Sequence, residues 1–149
     1  MNKIIFSVLF CVFLSTVTAS NIFACTCFYL PDIPIEKQVR GAYTNSSAVF
    51  IGEVSEVVSA PNVYFVLVKF KVEKSWNKKL PKEITISTGK GGGDCGYTFE
   101  VGKKYLVYAY GENKKLETNN CTRTASAVSN KDIAFLNKIK KTKIKSSPK

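Results

Sequence analysis

The residues best suited to chemistry are two cysteines, Cys25 and Cys27, which stand just after a hydrophobic leader. If a signal peptidase cuts after Ala24, the mature chain begins with Cys25, whose α-amine, carbonyl and side chain lie close together. An amine and a carbonyl on one residue can chelate a metal ion. A disulfide from Cys27 would then hold this terminus against the body of the fold.

Residues 1–24 predict a signal peptide. Lys3 gives a basic start, residues 4–17 are almost wholly apolar, and small or polar residues lead to Ala24. The apolar run is shorter than the roughly 20 residues that span a bilayer, which favours a cleaved signal over a retained anchor. Ile22 is larger than the small residue preferred three positions before a cut, so cleavage a few residues away stays open. We expect a secreted protein, extracellular or periplasmic.

The cysteine count predicts two disulfides in the mature chain. Cys11 lies in the leader, and the other four are Cys25, Cys27, Cys95 and Cys121. An even number of cysteines in an exported domain is typical of a disulfide framework, although four cysteines allow three pairings and spacing does not choose among them. Zinc ligation is the alternative, but the gaps between these cysteines are not those of a zinc finger.

The mature chain is strongly basic. All 11 acidic residues and 21 of the 22 basic ones follow Ala24, which leaves a net charge near +10. This charge favours acidic partners or surfaces in general and points to no particular anion site. Six of the cations fall in residues 138–149, and we interpret residues 142–149 as a solvated basic tail.

Hydrophobic periodicity predicts one all-β domain over residues 25–141, with flanking helices. Strands are predicted at 48–58, 63–76, 83–88, 104–110 and 114–118, and helices at 35–43 and 131–140. Five short strands with glycine-rich turns favour a five-stranded OB-like barrel. A β-sandwich is the alternative, but it normally needs seven strands.

Two local patterns refine this fold. Gly52 interrupts the first strand and predicts a bulge there. In the second strand the apolar residues alternate with charged ones, which predicts a half-buried strand; the apolar set is Tyr64, Val66, Val68, Phe70 and Val72. The glycine-rich stretch at 89–97 lacks the pattern of a phosphate-binding loop, so we expect a mobile loop that lets Cys95 reach another part of the backbone.

The cysteine pattern and its surroundings resemble one known family, the tissue inhibitors of metalloproteinases, in their N-terminal inhibitory domain and its bacterial single-domain relatives. The resemblance covers almost the whole mature chain. The residues that carry it are Cys25-Thr26-Cys27 at the processed start, Ala48-Val49-Phe50-Ile51-Gly52 in the first strand, Cys95-Gly96-Tyr97, and Cys121 after the last strand.

The resemblance implies an OB-like barrel, the pairs Cys25 with Cys95 and Cys27 with Cys121, and a secreted, monomeric inhibitor that needs no cofactor. Its partner would be a zinc metalloproteinase, whose catalytic zinc the amine and carbonyl of Cys25 would chelate. Thr26 would enter the specificity pocket beside the zinc. The implied inhibitory edge comprises Cys25, Thr26, Cys27, Phe28, Gly92, Gly93 and Asp94.

Three other functions remain as alternatives. Ile22-Phe23-Ala24-Cys25 could serve as a lipoprotein signal, and lipidation at Cys25 is the one route by which we expect membrane attachment. A non-inhibitory netrin-like module would use the same basic, aromatic surface to bind a protein or polymer. An enzyme is least supported, because the chain has no histidine. We expect no nucleic acid partner, because we expect the protein to be exported.

Overall fold

The computed structural model describes residues 25–27, 32–59, 64–112 and 115–146. Within these residues, two helices and five strands follow one another in the order α1, β1 to β5, α2. Their bounds are α1 Ile35–Asn45, β1 Ala48–Ser59, β2 Phe65–Ser75, β3 Glu83–Gly89, β4 Lys104–Ala109, β5 Ala125–Ser126 and α2 Asp132–Ser146, with a single 3₁₀ turn at Gly92–Asp94.

The strands form one antiparallel sheet in the order β3-β2-β1-β4-β5. β1 is central and pairs with β2 on one side and with β4 on the other. The register between β1 and β2 shifts between Ile51 and Gly52, which confirms the predicted bulge at Gly52. A side chain at Gly52 would bring its Cβ to 3.0 Å from the Lys71 carbonyl oxygen, so glycine fits this close approach of backbones.

The prediction for the fifth strand was wrong. The described part of the predicted segment 114–118 forms no strand, and the fifth strand is Ala125–Ser126, which pairs with Tyr105 and Leu106 of β4. The cause lies in threonine hydroxyls that bond to the β4 backbone. The Thr124 hydroxyl accepts from the Tyr108 N–H at 3.0 Å. The Thr118 hydroxyl donates to the Tyr108 carbonyl at 3.1 Å. Side-chain hydroxyls thus take the bonds that a neighbouring strand would otherwise make.

The sheet is open, with β3 and β5 at its edges, and strand pairing does not close it into the predicted barrel. A short segment nevertheless lies between β3 and the end of β4. Glu117 forms a parallel bridge with Ser87 and an antiparallel bridge with Tyr110. Four backbone hydrogen bonds with N···O distances of 2.9 to 3.0 Å make these bridges. The Ser87 N–H donates to the Leu116 carbonyl, and the Ser87 carbonyl accepts from the Thr118 N–H. Tyr110 and Glu117 each donate to the carbonyl of the other.

Both faces of the sheet are buried, each by its own apolar cluster. β4 contributes to both faces because its alternate side chains point in opposite directions. On one face, Tyr105 and Val107 pack in a cluster around Phe50 and Phe70. On the other face, Leu106 and Tyr108 pack in a cluster that includes residues of both helices. The buried members of this second cluster are Val39, Tyr43, Val49, Trp76, Leu106, Tyr108 and Leu136. Tyr105 and Tyr108 are therefore core residues.

The helix predictions were right in position and too short in length. α1 continues two residues beyond the predicted end, and α2 continues to Ser146, so the first five residues of the expected tail at 142–149 are helical. Within α1, Val39 is fully buried, whereas Ile35 is 39% exposed. Tyr64 was wrongly placed in the core, since it is 93% exposed. Within the described ranges, neither helix has the length and apolar composition needed to cross a bilayer.

A polar network joins the two helices to the sheet. Arg123 forms two hydrogen bonds of 2.8 Å with the Asp132 carboxylate, in a side-on geometry that suits guanidinium and carboxylate groups. Arg123 also donates to Gln38 of α1 at 2.8 Å. The Tyr108 hydroxyl donates to Asp132 at 3.0 Å, and burial raises the pKa of that hydroxyl, so it stays a donor. Asp132 is 4% exposed, which makes its partners energetically important.

We predict that Arg123→Met lowers the free energy of unfolding by about 3 to 5 kcal/mol, because it leaves a buried carboxylate without its cation. The control is Arg40→Met, which removes an exposed ion pair with Glu36 and should cost less than about 1 kcal/mol. Urea unfolding of the disulfide-bonded proteins measures both values. Equal, small effects of the two substitutions would contradict the structural role given to Arg123.

Candidate functional site

The tripeptide Cys25-Thr26-Cys27 is held by two disulfides. Residues 25–27 belong to no helix or strand. Cys25 bonds to Cys95 and Cys27 bonds to Cys121, with Cα–Cα distances of 5.2 and 5.1 Å. The pairing implied by the family resemblance is therefore present, and no thiolate of the four remains for zinc. Two disulfides also indicate an oxidising environment outside the cytoplasm.

The two disulfides lie side by side and leave the residue between them exposed. The sulfur atoms of Cys25, Cys27 and Cys121 all lie within 4.8 Å of one another. Cys25 and Cys27 are half-buried, whereas Thr26 is exposed. The tripeptide is thus fixed at both ends and presents one small polar side chain to solvent.

The loop that carries Cys95 is organised by the Asp94 carboxylate. The backbone N–H groups of Lys90, Gly91 and Gly96 donate to it at 2.6, 2.9 and 2.9 Å. These hydrogen bonds hold the pKa of Asp94 below its ordinary value of 3.8, and the bond from the Gly96 N–H contributes most. The predicted role of this stretch, to let Cys95 reach another part of the backbone, is confirmed by the Cys25–Cys95 disulfide. The hydrogen bonds to Asp94 close the loop on itself, which the sequence did not predict.

Close backbone contact makes this loop intolerant of a side chain at Gly96. A Cβ at Gly96 would lie 2.2 Å from the carbonyl carbon and oxygen of Gly89 and 2.5 Å from the Gly91 nitrogen. Cys95 itself has a φ of 59°, in the left-handed region that cysteine adopts rarely. The Cys25–Cys95 disulfide therefore ends on a tightly folded loop.

The turn that carries Cys121 is held by Asn119. The Asn119 side-chain oxygen accepts from the N–H groups of Cys121 and Thr122 at 2.9 and 3.1 Å, and its amide donates to the Tyr110 hydroxyl at 3.1 Å. Sequence analysis missed this role. The sequence signal for this role is an asparagine at the start of a turn, because an asparagine side chain there can accept a hydrogen bond from the backbone N–H two residues later.

A backbone hydrogen bond joins the two cysteine-bearing loops directly. The N–H of Asn120 donates to the carbonyl oxygen of Cys95 at 2.8 Å. The loops at 89–96 and 119–122 therefore form one support for the tripeptide. Of the predicted edge, Gly92, Gly93 and Asp94 lie in the 3₁₀ turn directly before Cys95, which is bonded to Cys25. Phe28 lies outside the described residues.

A groove adjoins this support. It has a volume of about 730 Å³, and Asp94 and Asn119 of the two loops lie at its wall. Tyr64, just before β2, also lines it, together with two β2 side chains, Phe65 at 46% exposed and Leu67 at 39% exposed. Sequence analysis did not predict this groove, because alternation suggested that Tyr64 points inward.

Comparisons with known proteins add no assignment. No protein-family description matches this chain, and a search of curated proteins finds no match.

We predict that the Asp94 carboxyl titrates with a midpoint below 3.8 and that the Gly96 amide resonance follows it. The sign follows from the hydrogen bonds to the ionised form. The pKa of Asp94 is lower in the folded than in the unfolded protein. The stability gained from its hydrogen bonds is therefore complete above the pKa of the unfolded state, and it is lost as the pH falls through the pKa of the folded state. NMR titration of the disulfide-bonded protein measures the midpoint.

Two variants test that assignment. Asp94→Asn should abolish the titration of the Gly96 amide, whereas Glu100→Gln, which changes an exposed acid on the same loop region, should leave it intact. A midpoint at or above 3.8 would show that Asp94 does not organise the loop.

Proposed function

We propose that the processed protein is an exported inhibitor of zinc metalloendopeptidases. The observation that carries this proposal is the exposure of Thr26 between two cysteines that are each disulfide-bonded to a different loop. A short segment presented in this way can enter a cleft without rearranging. Because its ends are fixed covalently, little conformational freedom remains to be lost when it binds.

The Cys25 backbone would supply the inhibitory chemistry. A catalytic zinc is held by three protein ligands and keeps a fourth position for the water that attacks the substrate. After cleavage at Ala24, the neutral α-amine and the carbonyl oxygen of Cys25 could bind that zinc together and displace the water. An α-amino group has a pKa near ~8, so deprotonation near neutral pH costs little.

The neighbouring residues would fix the orientation of this chelate. Thr26 is exposed and would enter the specificity pocket beside the zinc. Cys27 and Phe28 would continue along the cleft of the protease. Gly92, Gly93 and Asp94 would form a second segment, here called the second strip, that contacts the protease. Support for this second strip comes from the Cys25–Cys95 disulfide, which joins the 3₁₀ turn to the terminus.

The proposed fold behind the site is an OB-like arrangement. The bridges from Glu117 to Ser87 and to Tyr110 support it, because they connect β3 with the end of β4 across the open side of the sheet. In that arrangement segment 116–118 acts as the closing strand, shortened by the threonine hydroxyls that occupy the Tyr108 backbone. Such strongly curved sheets carry variable loops at their rims, where the cysteine loops lie here.

A binding module without inhibitory activity is the second candidate. The groove beside the cysteine loops favours it, since exposed aromatic residues such as Tyr64 and Phe65 are typical of contact surfaces. A lipid anchor at Cys25 is less favoured, because lipidation would need the sulfur that bonds to Cys95. The two candidates differ in whether binding to a protease requires the N-terminal amine.

We predict that one alanine inserted before Cys25 reduces inhibition at least about 100-fold without unfolding the domain. The insertion moves the amine away from the Cys25 carbonyl and so removes one zinc ligand. The measurement is peptide hydrolysis by a panel of zinc endopeptidases, including matrix-metalloproteinase and thermolysin-type catalytic domains, at increasing concentrations of the protein starting at Cys25.

The matched control is Tyr64→Ser combined with Phe65→Ser, which changes the groove and leaves the terminus intact. Full inhibition by the alanine-extended protein, or inhibition lost only in the groove variant, would contradict chelation and favour the binding module. Near-ultraviolet circular dichroism of both variants checks that each remains folded.

A further inference from the structure

The strand β1 extends beyond β4, which leaves its last residues with an open edge. Its pairing with β4 ends at Glu53, which lies opposite Lys104. The carbonyl of Val54 still accepts from the Gly102 N–H on that side, at 2.8 Å. Residues 56–59 pair with β2 on the other side, and among the described residues no strand pairs with them on this one. We call residues 56–59 the open edge.

The backbone of the open edge presents four unpaired groups. The Val72 N–H donates to the carbonyl of the residue before β3 at 2.8 Å, so even-numbered residues of β2 bond to β3 and odd-numbered ones bond to β1. Leu67 pairs with Val58, so Val58 bonds to β2. Its neighbours Val57 and Ser59 therefore direct their N–H and C=O groups away from β2, where no described residue bonds to them.

The open edge lacks the features that usually protect edge strands from pairing with another chain. All four of its residues are exposed, among them Val57 at 36% and Val58 at 48%. The chain has 22 basic residues, yet none falls within residues 41–68. The one charge of the open edge, Glu56, lies opposite Lys69 of its own β2. A further strand can therefore approach this edge of β1 without meeting a lysine on it.

The outer edge of β3 is better protected. The Ser87 N–H donates to the Leu116 carbonyl at 2.9 Å, and the Ser87 carbonyl accepts from the Thr118 N–H at 3.0 Å, so one half of this edge is covered. Exposed charged residues, Lys82 and Glu83, stand where the strand begins. Of these two edges, that of β1 is the one left free to pair.

We propose that the open edge pairs with the open edge of a second copy of this chain, across a two-fold axis at Val58. In this antiparallel arrangement Val57 of one copy lies opposite Ser59 of the other, and the two residues exchange both hydrogen bonds. The symmetry repeats the pair, so all four free groups of each copy are satisfied. A second copy fits because Val57 and Ser59 stand on either side of Val58, which makes the open edge its own complement.

Side chains and charge also support a second copy as the partner. Val58 and Leu67 lie opposite each other on one face of the sheet and are 48% and 39% exposed. At the two-fold axis Val58 meets Val58 of the second copy, which makes a row of four apolar side chains across the joined sheets. Two molecules that each carry a charge near +10 repel each other least where their contact contains no lysine.

The pairing uses no residue of the cysteine loops and does not depend on the proposed inhibitory function. It departs from the monomer that the family resemblance implies. Because only a few residues of each strand meet, we expect a weak, reversible dimer with a contact at the small end of protein interfaces.

The test is sedimentation equilibrium of the disulfide-bonded protein starting at Cys25, between about 10 µM and 1 mM. We expect a monomer–dimer equilibrium that is stronger at about 0.5 M than at about 0.15 M salt, because salt screens the repulsion between the two basic molecules. In NMR spectra the amide resonances of Val57 and Ser59 should shift with protein concentration. A monomer throughout this range, or concentration-dependent shifts that omit the open edge, would overturn the proposal.

A proline on each sheet edge locates the pairing. Ser59→Pro removes the outward N–H and leaves the bonds to β2 intact, so we expect dimerisation at least about 10-fold weaker, since each dimer loses two hydrogen bonds. Thr85→Pro is the matched control, because Thr85 is exposed and its N–H also points away from β2, as that of Ser87 does. It should weaken dimerisation less than about two-fold, because it lies outside the contact. Equal weakening by both prolines would contradict pairing through β1.

Opposite charges at the two-fold axis test the register. Val58→Lys and Val58→Glu should each abolish dimerisation alone, because like charges then lie directly opposite each other. An equimolar mixture of the two variants should form a heterodimer, since the lysine of one chain faces the glutamate of the other. Circular dichroism checks that both variants are folded. Dimerisation by either variant alone, or a mixture that stays monomeric while the unmodified protein dimerises, would contradict the two-fold pairing at Val58.

Discussion

Two disulfides provide the constraint on which the candidate site depends. Residues 25–27 lie outside every helix and strand, so the bonds from Cys25 to Cys95 and from Cys27 to Cys121 fix the tripeptide in place. They join residues 70 and 94 positions apart. In the chain-entropy model each such bond stabilises the folded state by about 4 to 5 kcal/mol. Because a domain of this size has a net stability of roughly 5 to 15 kcal/mol, their loss would endanger the whole fold.

The disulfides position the tripeptide only because the loops that receive them are themselves ordered. The Asp94 carboxylate accepts hydrogen bonds from three backbone amides of the Cys95 loop, and the Asn119 side-chain oxygen accepts from two backbone amides of the Cys121 turn. The Asn120 to Cys95 hydrogen bond joins the two loops.

Much of the sheet could be predicted from the sequence, because alternation of apolar and charged residues encodes strands directly. This holds most clearly for β2; β1, β3 and β4 were predicted from their apolar and β-branched residues, and the bulge from Gly52. The fifth strand could not be predicted, since it depends on Thr118 and Thr124 bonding to a distant strand. The ordering role of Asp94 and the exposure of Tyr64 also depend on tertiary contacts. The disulfide pairing came from the family resemblance, because spacing allowed three pairings.

The most direct test of the account is mass analysis of the protein as its own host exports it, combined with non-reducing peptide mapping. The account predicts a chain that starts at an unmodified Cys25 and carries two disulfides, with peptides linked through Cys25 and Cys95 and through Cys27 and Cys121. That result leaves a free amine beside the Cys25 carbonyl. An acylated Cys25, a chain that starts elsewhere, or a different pairing would contradict the proposed zinc-chelating terminus.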